Sequence, residues 1–270
     1  DGITSSHWDG KLLVTGGRDK LVRVWDAHAS SAKLVLEGHT SNVRAVQHKD
    51  GLVVTGGEPT VRVWNLETGA QASALEGHAH YVSCLRLDRE RRLVSGSWDR
   101  TLRIWNLTAD GTETKSVETL EGHTASVLCL ETNGDRAASG SLGGEVMLWS
   151  LLTGANTISS YADRGSAVNA IAWERNLLFC AADMNVKVLD IISAKVVATL
   201  SGHTDAITCL VVDMPYILTG SRDSSVKVWS SRSWQCVRTI SCPGIRCLQV
   251  AKRTIVAGLD TGEMQWWTLA

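Results

Sequence analysis

Gly77-His78-Ala79-His80-Tyr81-Val82-Ser83-Cys84-Leu85-Arg86-Leu87-Asp88-Arg89-Glu90-Arg91-Arg92-Leu93-Val94-Ser95-Gly96-Ser97-Trp98-Asp99-Arg100-Thr101-Leu102-Arg103-Ile104-Trp105 decides the fold of this chain. Gly77-His78 is a turn, and Val82 to Leu87 alternates as a short strand. Asp88 to Arg91 turns the chain. Leu93 to Gly96 is a second strand, Ser97 to Arg100 a second turn, and Thr101 to Trp105 a third strand. Beyond Trp105 the stretch Ala109 to Ser116 reads as a polar loop. Val117-Glu118-Thr119-Leu120 is then a fourth strand that delivers the next Gly-His. Short apolar runs separated by turn chemistry, with no helical period, mean an all-β unit.

The unit recurs. Its closing strand appears as Val22-Arg23-Val24-Trp25, Val61 to Trp64, Leu102 to Trp105, Val146 to Trp149, Val186 to Leu189, Val226 to Trp229 and Met264 to Trp267. Successive endings are 39, 41, 44, 40, 40 and 38 residues apart. Gly-His stands ahead of four of them, at Gly38-His39, Gly77-His78, Gly122-His123 and Gly202-His203. Four strands of this size cannot bury a core alone, so neighbouring units must stack. Fourth strands fall near Leu34, Ala74, Val117, Thr157, Val197 and Val237, and none follows Trp267. A closed ring of seven four-stranded units is therefore expected, one single domain over residues 1–270, with one strand of the closing unit not supplied by this sequence. An open sheet edge is the consequence, one that a flanking segment or a partner strand could fill. The first residue, Asp1, is consistent with part of a longer protein carrying flanking domains.

Composition narrows the function classes. With 27 basic and 28 acidic residues the formal net charge is -1, so bulk charge offers nothing to nucleic acid or to an anionic membrane. No apolar run is long enough to cross a bilayer as a helix, so membrane insertion is not expected. The seven cysteines are odd in number and form no CxxC pair, which fits buried small residues in a reducing intracellular setting, cytoplasmic or nuclear. No phosphate-binding loop, nucleophile–base pair or metal-ligand spacing emerges apart from the repeat. No cofactor, no metal and no catalytic residue is expected, and the chain reads as a non-enzyme.

The pattern resembles the WD-repeat β-propeller family across essentially all 270 residues. What the resemblance implies is a hydrogen-bonded network of His, Ser or Thr, Asp and Trp within each blade. Blade three supplies His78, Ser95, Asp99 and Trp105; blade six supplies His203, Thr219, Asp223 and Trp229. Blade two has His39, Thr55 and Trp64, with Pro59 near the Asp position. Blade four has His123, Ser139 and Trp149, with Gly143 in place of Asp. Blade five keeps Asp183, has Leu189 for Trp, and carries Tyr161-Ala162-Asp163 where Gly-His belongs. Blades two, four, five and seven are accordingly expected to be locally weaker. The roles are structural, because a catalytic set would occur once rather than as copies around a ring.

Two further series face one end of the channel in such a fold. At the start of the first strands stand Thr4, Arg44, Ser83, Leu128, Asn169, Thr208 and Arg246. In the turn after the second strands stand Arg18, Glu58, Trp98, Leu142, Ala182, Arg222 and Asp260. Arg222, Arg246, Arg18 and Arg44 then share one arc, with Glu58 and Asp260 near enough to neutralise them. Trp98, Leu142 and Leu128 continue it as an apolar shelf, with Tyr81 nearby. Arginine forks match carboxylate or phosphate oxygens. The arc is a candidate site for an acidic or phosphorylated peptide, with Trp98 as apolar anchor. The short blades and the phrase Gly38-His39-Thr40-Ser41-Asn42-Val43-Arg44 are also similar to the propellers of F-box ubiquitin-ligase adapters, although no blade here holds both channel arginines. The expected function is a protein-interaction platform or adapter. The alternative is a structural scaffold subunit that binds through blade sides and the open edge.

Overall fold

The computed structural model describes residues 2–26, 31–88, 90–112, 114–159 and 165–268. Blade one comprises β1 (Ile3–Trp8), β2 (Leu12–Gly17), β3 (Val22–Asp26) and β4 (Ala32–Leu36). Blade two comprises β5 (Ala45–Lys49), β6 (Leu52–Gly56), β7 (Val61–Asn65) and β8 (Gln71–Leu75). Blade three is β9 (Val82–Leu87), β10 (Arg92–Ser97), β11 (Leu102–Leu107) and β12 (Thr114–Leu120). Blade four is β13 (Val127–Asn133), β14 (Arg136–Ser141), β15 (Val146–Ser150) and β16 (Asn156–Ser159). Blade five follows as β17 (Val168–Glu174), β18 (Leu177–Ala182), β19 (Asn185–Asp190) and β20 (Lys195–Ser201). Blade six is β21 (Ile207–Asp213), β22 (Tyr216–Ser221), β23 (Ser225–Ser230) and β24 (Cys236–Ser241). Blade seven holds β25 (Ile245–Ala251), β26 (Thr254–Leu259) and β27 (Met264–Thr268). Every sheet is antiparallel in chain order. Six have four strands, and the seventh has three among the described residues.

The core lies between blades rather than within them. One apolar cluster joins Val54, Val61, Val63 and Leu75 of blade two to Val82, Leu85, Leu93 and Trp105 of blade three. The same arrangement repeats between blades three and four, four and five, five and six, and six and seven. Trp8 and Leu13 of blade one pack with Val256 of blade seven and close the ring. Gln249 Nε2 also donates to Ser6 O at 2.9 Å across that junction. Flat stacking demands a small residue on the second strand. Gly96, Gly140, Gly220 and Gly258 each lie beneath a first-strand cysteine, so that an added Cβ would sit only 2.6–2.7 Å from the Sγ of Cys84, Cys129, Cys209 or Cys247. The recurring cysteines are buried packing groups, and all seven are free thiols.

The structure revises two local expectations. The Ala109 to Ser116 loop is shorter than expected, because β12 begins at Thr114 and pairs it with Leu107. The long repeat is absorbed by longer strands, with Asp110 capping a tight turn through Thr108 and Thr112. In blade five, Ala182 ends β18 and pairs with Asn185, so the turn is Asp183-Met184 and Ala182 does not reach the channel mouth. The substitute for Gly-His in that blade, Tyr161-Ala162-Asp163, lies outside the described residues.

Candidate functional site

The blade networks fix the strand ends that build the mouth. In blade three Trp105 Nε1 donates to Ser95 Oγ at 2.9 Å. Ser95 Oγ lies 2.7 Å from His78 Nε2, and His78 Nδ1 lies 2.8 Å from Asp99 Oδ2. Each donor finds one acceptor if Ser95 donates to Nε2 and Nδ1–H donates to the carboxylate. Blade six repeats the chain through Trp229, Thr219, His203 and Asp223 at 2.8, 2.7 and 2.7 Å. Burial opposes the charge on Asp223, but hydrogen bonds from Ser225, His203 and the Thr204 amide outweigh it and hold the carboxyl down at about 2. The glycine of Gly-His is required because it packs on the indole with positive φ. Gly38, at φ 149°, would bring a Cβ to 3.2 Å from the Trp64 ring.

Blade four is complete, contrary to expectation, and blade two nearly so, its buried His39 Nδ1 approaching a carboxylate without forming a hydrogen bond. Neither Pro59 nor Gly143 takes the aspartate's place. Glu58 does so in blade two, its Oε1 3.3 Å from His39 Nδ1, while it also accepts from Thr40 N at 2.9 Å and from Arg62 Nε at 2.7 Å. His39 reaches Thr55 at 2.7 Å, and Trp64 donates to Thr55 at 2.8 Å. In blade four Glu145 lies 3.2 Å from His123 Nδ1, and Ser139 links His123 to Trp149. A glutamate reaches from a shifted backbone position because it has one more methylene than aspartate. The legible signal was an acid within two residues of the missing aspartate. Blade five differs: Asp183 meets Ser166 at 3.3 Å, and Leu189 is buried where other blades place Trp.

One end of the channel is a funnel of about 560 Å³ lined by Thr4, Arg18, Asn42, Arg44, Ser83, Trp98, Leu128, Thr208 and Arg246. Several first-strand polar residues are used to tie blades together. Thr4 donates to Val43 O, Ser83 to Val127 O at 2.6 Å, and Asn169 Nδ2 to Ile207 O at 3.0 Å. The arginines behave otherwise. Arg18 is exposed at the lip and Arg44 is half-buried; among the described residues neither meets a carboxylate. Glu58 is 5% exposed and turned into its blade, so it does not neutralise the arc. Arg246 does meet Asp260, at 3.7 Å. Arg222 is exposed and outside the funnel lining, so the structure brings three of the four arginines together. Leu142 is 54% exposed on the adjoining turn. Tyr81 stands behind Trp98, with ring centroids 5.5 Å apart. His80 joins these rings, and nothing in the repeat pattern marked it.

The opposite mouth is larger, about 840 Å³, and its lining arginines Arg86 and Arg92 are paired with carboxylates. Arg86 makes a two-pronged pair with Glu131 at 2.8 and 2.9 Å. Arg92 holds Asp88 at 2.9 Å and Asp135 at 3.2 Å. No group of three metal-ligating side chains occurs among the described residues. No described helix is long and apolar enough to cross a membrane.

The family model for the WD domain, G-beta repeat, matches residues 1–26, 30–65, 69–106, 114–150 and 194–230, more than half of the chain. The chain belongs to the WD-repeat family. The model leaves the first three strands of blade five and all of blade seven unmatched, and these are the blades whose Gly-His is replaced. Autophagy-related protein 16 of Arabidopsis thaliana is 29% identical over 239 residues, which are 83% of this chain and 46% of that protein. WD repeat-containing protein srw1 of Schizosaccharomyces pombe is 26% identical over 263 residues, 90% of this chain and 46% of that protein. Small ribosomal subunit protein RACK1y of Oryza sativa subsp. japonica is 30% identical over 165 residues, 55% of this chain and 47% of that protein. This WD-repeat chain thus matches slightly under half the length of these relatives. Among solved structures, the computationally designed Ika8 protein superposes with a TM-score of 0.81 at 26% identity, covering 99% of this chain and 83% of that one.

Proposed function

We propose that this WD-repeat propeller is a non-catalytic interaction module that takes an acidic or phosphorylated peptide segment at the arginine-bearing mouth. One observation carries the reading. Among the described residues, Arg18 and Arg44 face a funnel without a carboxylate partner, whereas Arg86 and Arg92 at the opposite mouth are paired. An unpaired guanidinium on a rigid strand end is pre-organised for an oxyanion. Leu128 and Leu142 offer apolar contact beside it. Free, mostly buried cysteines support a reducing cytoplasmic or nuclear setting, and the partial coverage of relatives supports flanking domains. The test is fluorescence anisotropy with degenerate peptide libraries, one with a fixed central phosphoserine, one with glutamate and one with serine there. Binding that prefers the anionic libraries supports the reading; equal binding or none removes it.

A second reading has its own support. β27 has no fourth strand beside it among the described residues, and Trp266 is 42% exposed there. That edge suits a strand donated by a partner or a flanking segment. The name of one relative places it in a ribosomal subunit, which fits a scaffold role in a larger assembly. Competition of a bound partner by edge-blocking substitutions in β27, rather than by arginine substitutions, separates this reading from the first.

A further inference from the structure

The four arginines are not equivalent. Arg246 is engaged by Asp260, Arg222 lies outside the funnel, and Arg18 is exposed at its lip. Arg44 is held. Its Cζ lies 4.5 Å from the Trp98 ring centroid and 5.2 Å from that of Tyr81. Those rings meet edge to face at 5.5 Å, and His80 completes the cluster, 5.5 Å from Trp98 and 4.9 Å from Tyr81.

The backbone that carries the rings is itself fixed, while the Trp98 indole N–H is buried without a hydrogen-bond partner among the described residues. Trp98 N donates to Tyr81 O at 3.0 Å, and Trp98 O accepts from Ser126 Oγ of the next blade at 3.2 Å. Tyr81 N donates to His80 Nδ1 at 2.8 Å, and His80 O accepts from Ser97 Oγ at 3.0 Å. Arg44 belongs to the start of blade two, where its own amide donates to Gly56 O at 2.8 Å. The aromatic cluster belongs to blade three, so the contact spans the inter-blade groove.

We infer that Trp98, Tyr81 and His80 form a positioning clasp that makes Arg44 the principal anion-binding fork of the mouth, ahead of Arg18, Arg246 and Arg222. This rests on the peptide reading above and changes the role of Trp98 from apolar anchor to positioning residue. A guanidinium held against ring faces keeps its N–H edge free for two parallel hydrogen bonds. It also has less side-chain freedom to lose when an oxyanion arrives. The ligand class is a peptide with one carboxylate or phosphate seated on Arg44 and an apolar neighbour directed at Leu128.

The clasp has a readout without ligand. Ring currents should shift the Arg44 side-chain proton resonances upfield in the wild type. Trp98→Leu, which stays apolar, should abolish most of the shift, and Trp98→Phe should retain part of it. Unchanged Arg44 resonances in a folded Trp98→Leu protein overturn the clasp. The functional half is a double-mutant cycle with the phosphoserine library as probe. Arg44→Ala should weaken binding about tenfold or more, and Arg222→Ala less than twofold. Trp98→Leu should weaken binding roughly two- to fivefold while Arg44 is present, and not at all in the Arg44→Ala background. Equal losses in both backgrounds mean that Trp98 touches the ligand itself, which sinks the clasp and spares the peptide reading. No binding of any anionic library by the wild type sinks the peptide reading, and the fork role with it.

Discussion

At the residue scale, single buried hydroxyls hold the blades in register. Ser95 is fully buried and serves both Trp105 and His78. Ser95→Ala leaves two buried polar groups unpaired and should destabilise the protein by about 3 kcal/mol, read from the urea midpoint. Glu58→Ala should cost about 2 kcal/mol, comparable with Asp99→Ala, if Glu58 does for blade two what Asp99 does for blade three. A loss near zero for Glu58→Ala would return blade two to the status of an incomplete repeat. The network's Ser, Thr, His and Trp were legible because they recur at fixed spacing. Glu58 and Glu145 lack that fixed spacing, being longer side chains arriving from shifted turns, and only an acid within two residues of the missing aspartate marks them. Acid should act through the same groups. Burial lowers His39 from 6.5 to about 4, against the opposing pull of Glu58, and lowers His123 and His203 in the same direction. The unfolded chain then binds protons that the folded chain refuses. Stability should be fully present above pH 6.5 and fall as the pH drops through about 4, with Asp223 adding to the loss as its own carboxyl is protonated toward about 2. Urea midpoints measured across that range check this, and a constant midpoint from neutrality to pH 4.5 contradicts it.

At the element scale, alternation and turn chemistry made nearly every strand readable, including the fourth strands near Leu34, Ala74, Val117, Thr157, Val197 and Val237. Strand ends were less readable. Local sequence does not show that Leu107 extends its pairing to Thr114, or that Ala182 is still in a ladder, since these depend on cross-strand partners. Blade seven makes the clearest prediction. β27 occupies the position that β23 occupies in blade six, but β23 is flanked by β22 and β24 while β27, among the described residues, pairs with β26 alone. Outward-facing amides of β27 should therefore exchange with solvent at least about a hundredfold faster than their counterparts in β23. Equal protection in this chain would mean that the edge is covered.

At the scale of the whole molecule, a nearly neutral protein leaves Arg18 and Arg44 without a carboxylate partner among the described residues at one mouth of its channel and pairs Arg86 and Arg92 at the other. The sequence alone suggested four equal arginines, since spacing places a residue on a rim but says nothing of which partner it meets. Folding brings three of them into one funnel, gives Arg246 to Asp260, turns Glu58 away, and lays Arg44 on two aromatic rings. The most direct measurement is an amide and indole NMR titration of the labelled propeller with the phosphoserine peptide library. The account predicts that shifts concentrate at Arg44, Trp98 and Arg18 and leave the Arg86–Glu131 mouth unmoved. Shifts confined to that opposite mouth, or to the β27 edge, would contradict it.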